Sequence, residues 1–201
     1  VTVEPRRSPL DGLDVHREGV RLRELPFPSQ VDLRLDPVGT AANRVAQSLG
    51  TPLPVVPNTV VVSGDRHTLW LGPDEWLVVG PDGDAPVVVR ALREALGTEP
   101  GSVVDVSANR VVLELSGARA RDVLEQGCSI DLHPRAFGPE RCAQTLLARA
   151  NVLLYQVNEM PTYWVMVRPS FAEYLVSWLL DAARCPRVGA DRSGRGTDPS
   201  S

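Results

Sequence analysis

Cys128, His133 and Cys142 fall within one short stretch of the chain, and thiolate and imidazole are the ligands that zinc prefers. Their spacing matches no common zinc motif, and a fourth ligand would have to come from a distant segment. Cys142 and His133 would alternatively form a nucleophile and its base, because an imidazolium neighbour lowers a thiol pKa. Isolated buried thiols and a loop histidine account for the same residues without chemistry. Adjacent carboxylates occur at Asp74 and Glu75, but neighbours on a strand point to opposite faces, so a turn acid followed by a strand start fits them better. Asp105 and Asn109 flank another turn, where such side chains hydrogen-bond to local backbone.

The remaining catalytic alphabet is thin. All 21 basic residues are arginine, and the only histidines are His16, His67 and His133. Without lysine, Schiff-base chemistry, pyridoxal phosphate attachment and the phosphate-cradling lysine of P-loops and kinases are excluded. No Gly-x-Gly-x-x-Gly, P-loop, Gly-x-Ser-x-Gly or His-Glu-x-x-His motif occurs. A formal charge of −4 argues against a nucleic-acid partner, as do only four Trp, three Tyr and three Phe. An odd three cysteines with no Cys-x-x-Cys pair read as reduced thiols. The sequence starts with charge and proline where a signal peptide needs an apolar stretch, and no apolar run approaches the roughly 20 residues of a membrane span. The expectation is a cytoplasmic protein with no membrane contact.

Such residues need elements to position them, and at 201 residues and 43% hydrophobic content the chain should bury roughly 70% of its unfolded surface, enough for one domain or two small ones. Residues 1–19 are polar and proline-interrupted, and 186–201 are almost devoid of apolar side chains, so both read as flexible tails. Between them the pattern reads as two similar halves, 20–98 and 103–185, joined by GTEPGS. In the first, Val31, Leu33 and Leu35 alternate with Asp32 and Arg34 as in a half-buried strand. Asp36 and Pro37 are placed to open a helix that ends at Gly50. Strands follow over 59–62, 68–71 and 75–79, then a helix over 86–96.

The second half reads as short strands over 103–106 and 110–115, a helix capped by Ser116, strands over 142–148, 152–157 and 163–167, and a final helix with Ser170 and Glu173 as a capping box. Counted from 31–35 in the first half and from 110–115 in the second, each half carries the order β-α-β-β-β-α. Residues 31–50 echo 111–127, and 75–96 echo 163–182. The fold class is α+β with mainly antiparallel sheets. Trp70, Trp76, Trp164 and Trp178 fall in these elements, where core packing is the usual fate. The loop His133-Pro-Arg135-Ala-Phe137 presents residue types enriched at contact surfaces, which nominates His133, Arg135 and Phe137 as a partner interface.

Three segments, LWLGPDEWLVVGP at 69–81, DVSANRVVLELSGARARDVLEQGCSIDLHPRAFGPERCAQTLLARANVLLYQV at 105–157 and YWVMVRPSFAEYLVSWL at 163–179, resemble the gamma-subunit family of heterotetrameric sarcosine oxidase. The most specific part is GCSIDLHPRAFGPERCAQTLL, and the resemblance spans roughly residues 20–185. It implies a non-catalytic structural subunit beside alpha, beta and delta partners, with alpha the main contact. It further implies that the complex oxidatively demethylates sarcosine to glycine, forms hydrogen peroxide and passes the one-carbon unit to tetrahydrofolate. FAD, FMN, NAD, zinc and tetrahydrofolate would belong to the partner subunits, with no cofactor, metal or catalytic residue in this chain. The implied fold is similar to the folate-binding region of aminomethyltransferases.

The alternative is a free-standing folate-binding protein of the aminomethyltransferase-like class. Such relatives carry a Lys-Gly-Cys-Tyr-x-Gly-Gln-Glu segment, whereas Glu140-Arg-Cys142-Ala-Gln144-Thr here lacks the lysine, the glycine and the Gln-Glu pair.

Overall fold

The computed structural model describes residues 7–10 and 12–185. The segment read as a C-terminal tail lies outside the described residues, as do 1–6 and 11 of the N-terminal one. The elements run β1 (Asp14–Arg17), β2 (Val20–Leu25), β3 (Ser29–Leu35), α1 (Thr40–Leu49), β4 (Val60–Ser63), β5 (Arg66–Gly72), β6 (Glu75–Gly80) and α2 (Ala85–Leu96). They continue with β7 (Gly101–Asp105), β8 (Val111–Ser116), α3 (Ala120–Glu125), β9 (Arg141–Leu147), β10 (Ala150–Asn158), β11 (Thr162–Val167) and α4 (Pro169–Arg184). Every strand pairing within the sheets is antiparallel, and the class is α+β as the patterning implies.

Three apolar clusters define the layers. Val31, Leu33 and Leu35 of β3 pack with Ala41, Val45 and Leu49 of α1 and Val88 and Leu92 of α2. Leu113 and Leu115 of β8 pack with Val123 and Leu124 of α3 and Leu175 and Leu179 of α4. A third cluster, with Leu69, Leu77, Cys142, Leu153, Tyr155 and Met166, draws on strands of both sheets and on neither helix pair. Strand alternation makes this possible, since one side-chain parity faces helices and the other faces the opposite sheet. The order of layers is helices, sheet, sheet, helices.

Sheet order carries the internal symmetry. One sheet reads β4-β5-β6-β3-β7 and the other β9-β10-β11-β8-β2-β1, so the two sequence echoes occupy matching places. In each half an arginine near the first helix caps the second. Arg44 donates to the carbonyls of Ala95 and Leu96 at 2.7 and 3.1 Å, and Arg119 donates to those of Ala183 and Cys185. A cation at a helix C-terminus meets orphan carbonyls and the negative end of the dipole.

The halves exchange a strand. β7, read as the start of the second half, pairs with β3, and its Val103 carbonyl accepts from Arg93 of α2. β2, read as part of the first, pairs with β8, and β1 extends it within the segment read as a flexible tail. The boundary at 98–103 therefore divides the chain but not the sheets. Between the edge strands, Thr59 bridges Arg141, with Val60 N donating to the Glu140 carbonyl and Cys142 N to that of Asn58, at 2.9 and 3.0 Å.

Three helix starts differ from the sequence expectation. Asp36 accepts from Val38 N at 3.0 Å in a turn before α1, whose N-cap is Gly39. Ser116 stays in the ladder opposite Thr162 and Arg21, and Arg119 is the N-cap of α3. Pro169 opens α4 after an extended Arg168, which leaves Ser170 inside the first turn without a capping bond; the fixed proline φ suits that first position. The glycine stops hold: Gly50 is left-handed at φ 74, and Thr51 N and Gly50 N donate to the Ala46 and Gln47 carbonyls, the bond pattern of a Schellman ending.

Candidate functional site

The residues singled out for chemistry do not meet. Cys142 sits between the sheets at 0% exposure, its thiol directed at the carbonyls of Trp70 and Thr59 at 3.4 and 3.6 Å. Burial pushes that thiol up to about 12, only partly opposed by the Trp70 backbone and the Arg141 charge. A thiol held neutral is not a nucleophile at physiological pH. Cys128 is half-buried against the other core, Cys185 is exposed, and all three are free. Among the described residues, no group of three or more His, Cys, Asp and Glu is arranged to hold a metal ion. The cysteine-histidine stretch therefore does not fit zinc.

His133 lies in an exposed turn, its Nδ1 accepting from the backbone N–H of Arg135 at 3.2 Å. The carbonyl of His133 receives Ala136 N and Phe137 N at 2.8 and 2.9 Å, and this tight closure turns the loop inward at its end. Phe137 is consequently 4% exposed, packed among Leu132, Leu124 and the α4 side chains. This corrects its nomination as a contact residue: an aromatic in the chain's own core presents no surface to a partner. His133 and Arg135 remain exposed.

The acids sort as turn and strand positions dictate. Asp105 accepts from Ser107 N at 2.9 Å, while Glu75 pairs with Arg34 across β3 and β6 at 2.7 Å. Asp32 lies on the same inter-sheet face, and burial together with the Glu75 carboxylate raises its pKa above the usual value. Trp76 is fully buried, with Nε1 donating to the Pro54 carbonyl at 2.8 Å; Trp70, Trp164 and Trp178 are half-buried.

Sequence reasoning missed a second inter-sheet group. His67 Nδ1 lies 3.1 Å from the Tyr155 hydroxyl, and the His67 ring centroid is 4.6 Å from that of Trp164. Strand parity puts His67 on the face of Leu69 and Leu71, a signal present in the alternation of β5 but silent about which opposite strand would cover it.

Several clefts open at the sheet ends. A cleft of about 440 Å³ lies between the segment around Ser8, the turn at Phe27 and Pro28, and the 105–110 loop. Glu24 reaches it and hydrogen-bonds Ser8. No described helix is long and apolar enough to cross a membrane.

Solved structures place this arrangement among known folds. A chain of the heterotetrameric sarcosine oxidase from Corynebacterium sp. U-96, in complex with pyrrole 2-carboxylate, matches with a TM-score of 0.81 and 41% identity, over 89% of this chain and 94% of that one. The glycine cleavage system aminomethyltransferase T from Bartonella henselae matches with a TM-score of 0.62 at 12% identity, over 81% of this chain and 45% of that one. The second likeness concerns fold alone and agrees with the aminomethyltransferase-like architecture expected from sequence. Among curated proteins, the sarcosine oxidase subunit gamma of an Arthrobacter species is 44% identical over 88% of this chain and 89% of its own length. That of Corynebacterium sp. strain U-96 is 42% identical over the same shares. The model of the sarcosine oxidase, gamma subunit family matches residues 34–185, from the last two residues of β3 to just past the end of α4. With that match and these identities along nearly the whole of both chains, this protein belongs to the sarcosine oxidase gamma subunit family.

Proposed function

We propose that this chain is a non-catalytic, structural subunit of a heterotetrameric sarcosine oxidase. Its complex would oxidatively demethylate sarcosine to glycine, with hydrogen peroxide formed and the one-carbon unit passed to tetrahydrofolate. The observation that carries the reading is the likeness, over 89% of this chain and 94% of the other, to a chain from an enzyme of that composition. A second line of support is chemical. Cys142 is held protonated between two sheets and His133 is tied into a turn, so the side chains best suited to catalysis serve packing and loop closure.

Methylamine oxidation needs an electron sink, which a bound cofactor supplies. In this reading FAD, FMN, NAD, zinc and tetrahydrofolate are held by the alpha, beta and delta subunits, and the exposed His133 and Arg135 face the alpha subunit.

Co-expression tests the role. Omitting this chain is expected to leave an alpha-beta-delta assembly of lower thermal stability and yield, while the purified chain itself is colourless. Full stability and activity without it would overturn the structural role, and flavin absorbance stoichiometric with this polypeptide would overturn the cofactor placement.

A further inference from the structure

Beyond the last ladder pair of β8 and β11, Val111 opposite Val167, Arg110 and Arg168 continue the two strands side by side. Both share the parity of Val112 and Met166, which face the opposite sheet, so the two guanidinium groups lie on the same side of the sheet. Arg110 is half-buried. Desolvation, then the neighbouring charge of Arg168, lowers its pKa. Two like charges are held together in a partly dry place, an arrangement that costs stability unless something negative joins them.

The chain's own carboxylates do not serve that purpose. Asp32 and Glu75 face this region from β3 and β6 and act on Arg110 at a distance. However, Glu75 is engaged by Arg34 at 2.7 Å, and Asp32 Oδ1 lies 3.8 Å from the same guanidinium. Neither guanidinium of the Arg110 and Arg168 pair makes a hydrogen bond or ion pair with another described residue. The Arg110 backbone is nevertheless fixed: Gln30, fully buried, donates Nε2 to its carbonyl at 3.0 Å.

These two arginines line a cleft of about 400 Å³. Gln144 and Asn151 add amide groups to its wall, and the exposed Leu146 supplies apolar surface beside the buried Leu153 and Met166. Gln144 is held in place by donating Nε2 to the Leu71 carbonyl at 3.2 Å across the inter-sheet gap. Guanidinium forks recognise carboxylate and phosphate oxygens through paired N–H donors, and the flanking amides supply further donors for a planar or tetrahedral anion.

The geometry points to an anion-binding site at Arg110 and Arg168, built to take the carboxylate or phosphate group of a small ligand. Its polar wall holds the charged group, and the Leu146 side receives an aliphatic remainder.

Hydrogen-exchange mass spectrometry of the full chain, at fixed ionic strength, tests the site with sodium phosphate and sodium glutarate added separately against sodium chloride. The expected result is slowed exchange in peptides spanning 108–113, 150–153 and 164–170, with stronger protection by glutarate assigning a carboxylate ligand and stronger protection by phosphate a phosphoryl one. Arg168→Gln, an exposed position, is expected to weaken the effect by about tenfold, as loss of one charge-assisted pair implies. Arg110→Gln is expected to do the same or to abolish it. If Arg110→Gln fails to fold, the Arg168→Gln titration decides alone. No protection above chloride in the folded wild-type chain, or equal protection in Arg168→Gln, overturns the proposal.

Discussion

His67 lies between the sheets, with Tyr155 and Trp164 as its aromatic neighbours. Burial depresses its pKa below the ordinary 6.5, and Asp65 offsets this only in part. The unfolded chain therefore binds a proton at this residue more readily than the folded chain. His67 contributes stability above about pH 6.5, and that contribution is lost as pH falls through the lower folded value. Urea unfolding at pH 7.5 and 5.5 should show a smaller midpoint at the lower pH. His67→Phe should flatten that difference; an unchanged pH dependence in the variant would remove His67 as the cause.

Phe137 and Arg135 make a second contrast at this scale. Phe137→Ala should cost about 3–5 kcal/mol through the cavity left in the core. Arg135→Ala should leave the stability of the chain within about 0.5 kcal/mol while reducing co-purification of the alpha subunit. Denaturant titration and pull-down of the two variants separate core from contact residue.

At the scale of elements, the helix stops were easier to read than the starts. Gly50 and Gly97 mark ends where a positive φ is required, and glycine adopts it at little steric cost. Asp36, Ser116 and Ser170 have capping chemistry, but each is also compatible with a turn, a ladder or a first helical turn, and the neighbouring pairing decides. Ser116 shows the competition: both neighbouring strands claim it, and Gly117 then turns the chain at φ 113 with the Gly19 carbonyl only 2.5 Å from where a Cβ would sit. Gly117→Ala is therefore expected to destabilise by about 1–3 kcal/mol and to loosen the β1–β2 hairpin from β8. Faster amide exchange over 14–25 in the variant would accompany the shift; unaltered exchange and midpoint would refute this account.

For the whole molecule, the strand exchange explains why a boundary legible in the sequence is not a boundary in space. The segment 97–102 separates two patterned halves, yet β7 completes the first sheet and β2 completes the second. Local composition carries period and turn chemistry, but pairing partners lie far apart along the chain, and antiparallel partners of similar β-rich pattern are interchangeable to any local reading. The same limit separates Cys142 from His133, which are close in sequence and lie respectively in the inter-sheet core and on an exposed turn.

The sequence by itself determined the α+β class, the two matching strand and helix orders, most element positions and, through GCSIDLHPRAFGPERCAQTLL, the family. These follow from side-chain period, glycine conformation and specific residue strings, all of them local. Only the tertiary structure decided that β2 and β7 change places, that Phe137 belongs to the core, and that Arg110 and Arg168 stand together beside a cleft. Each of those depends on which distant strand lies opposite, and that is set by how two sheets bury their shared faces.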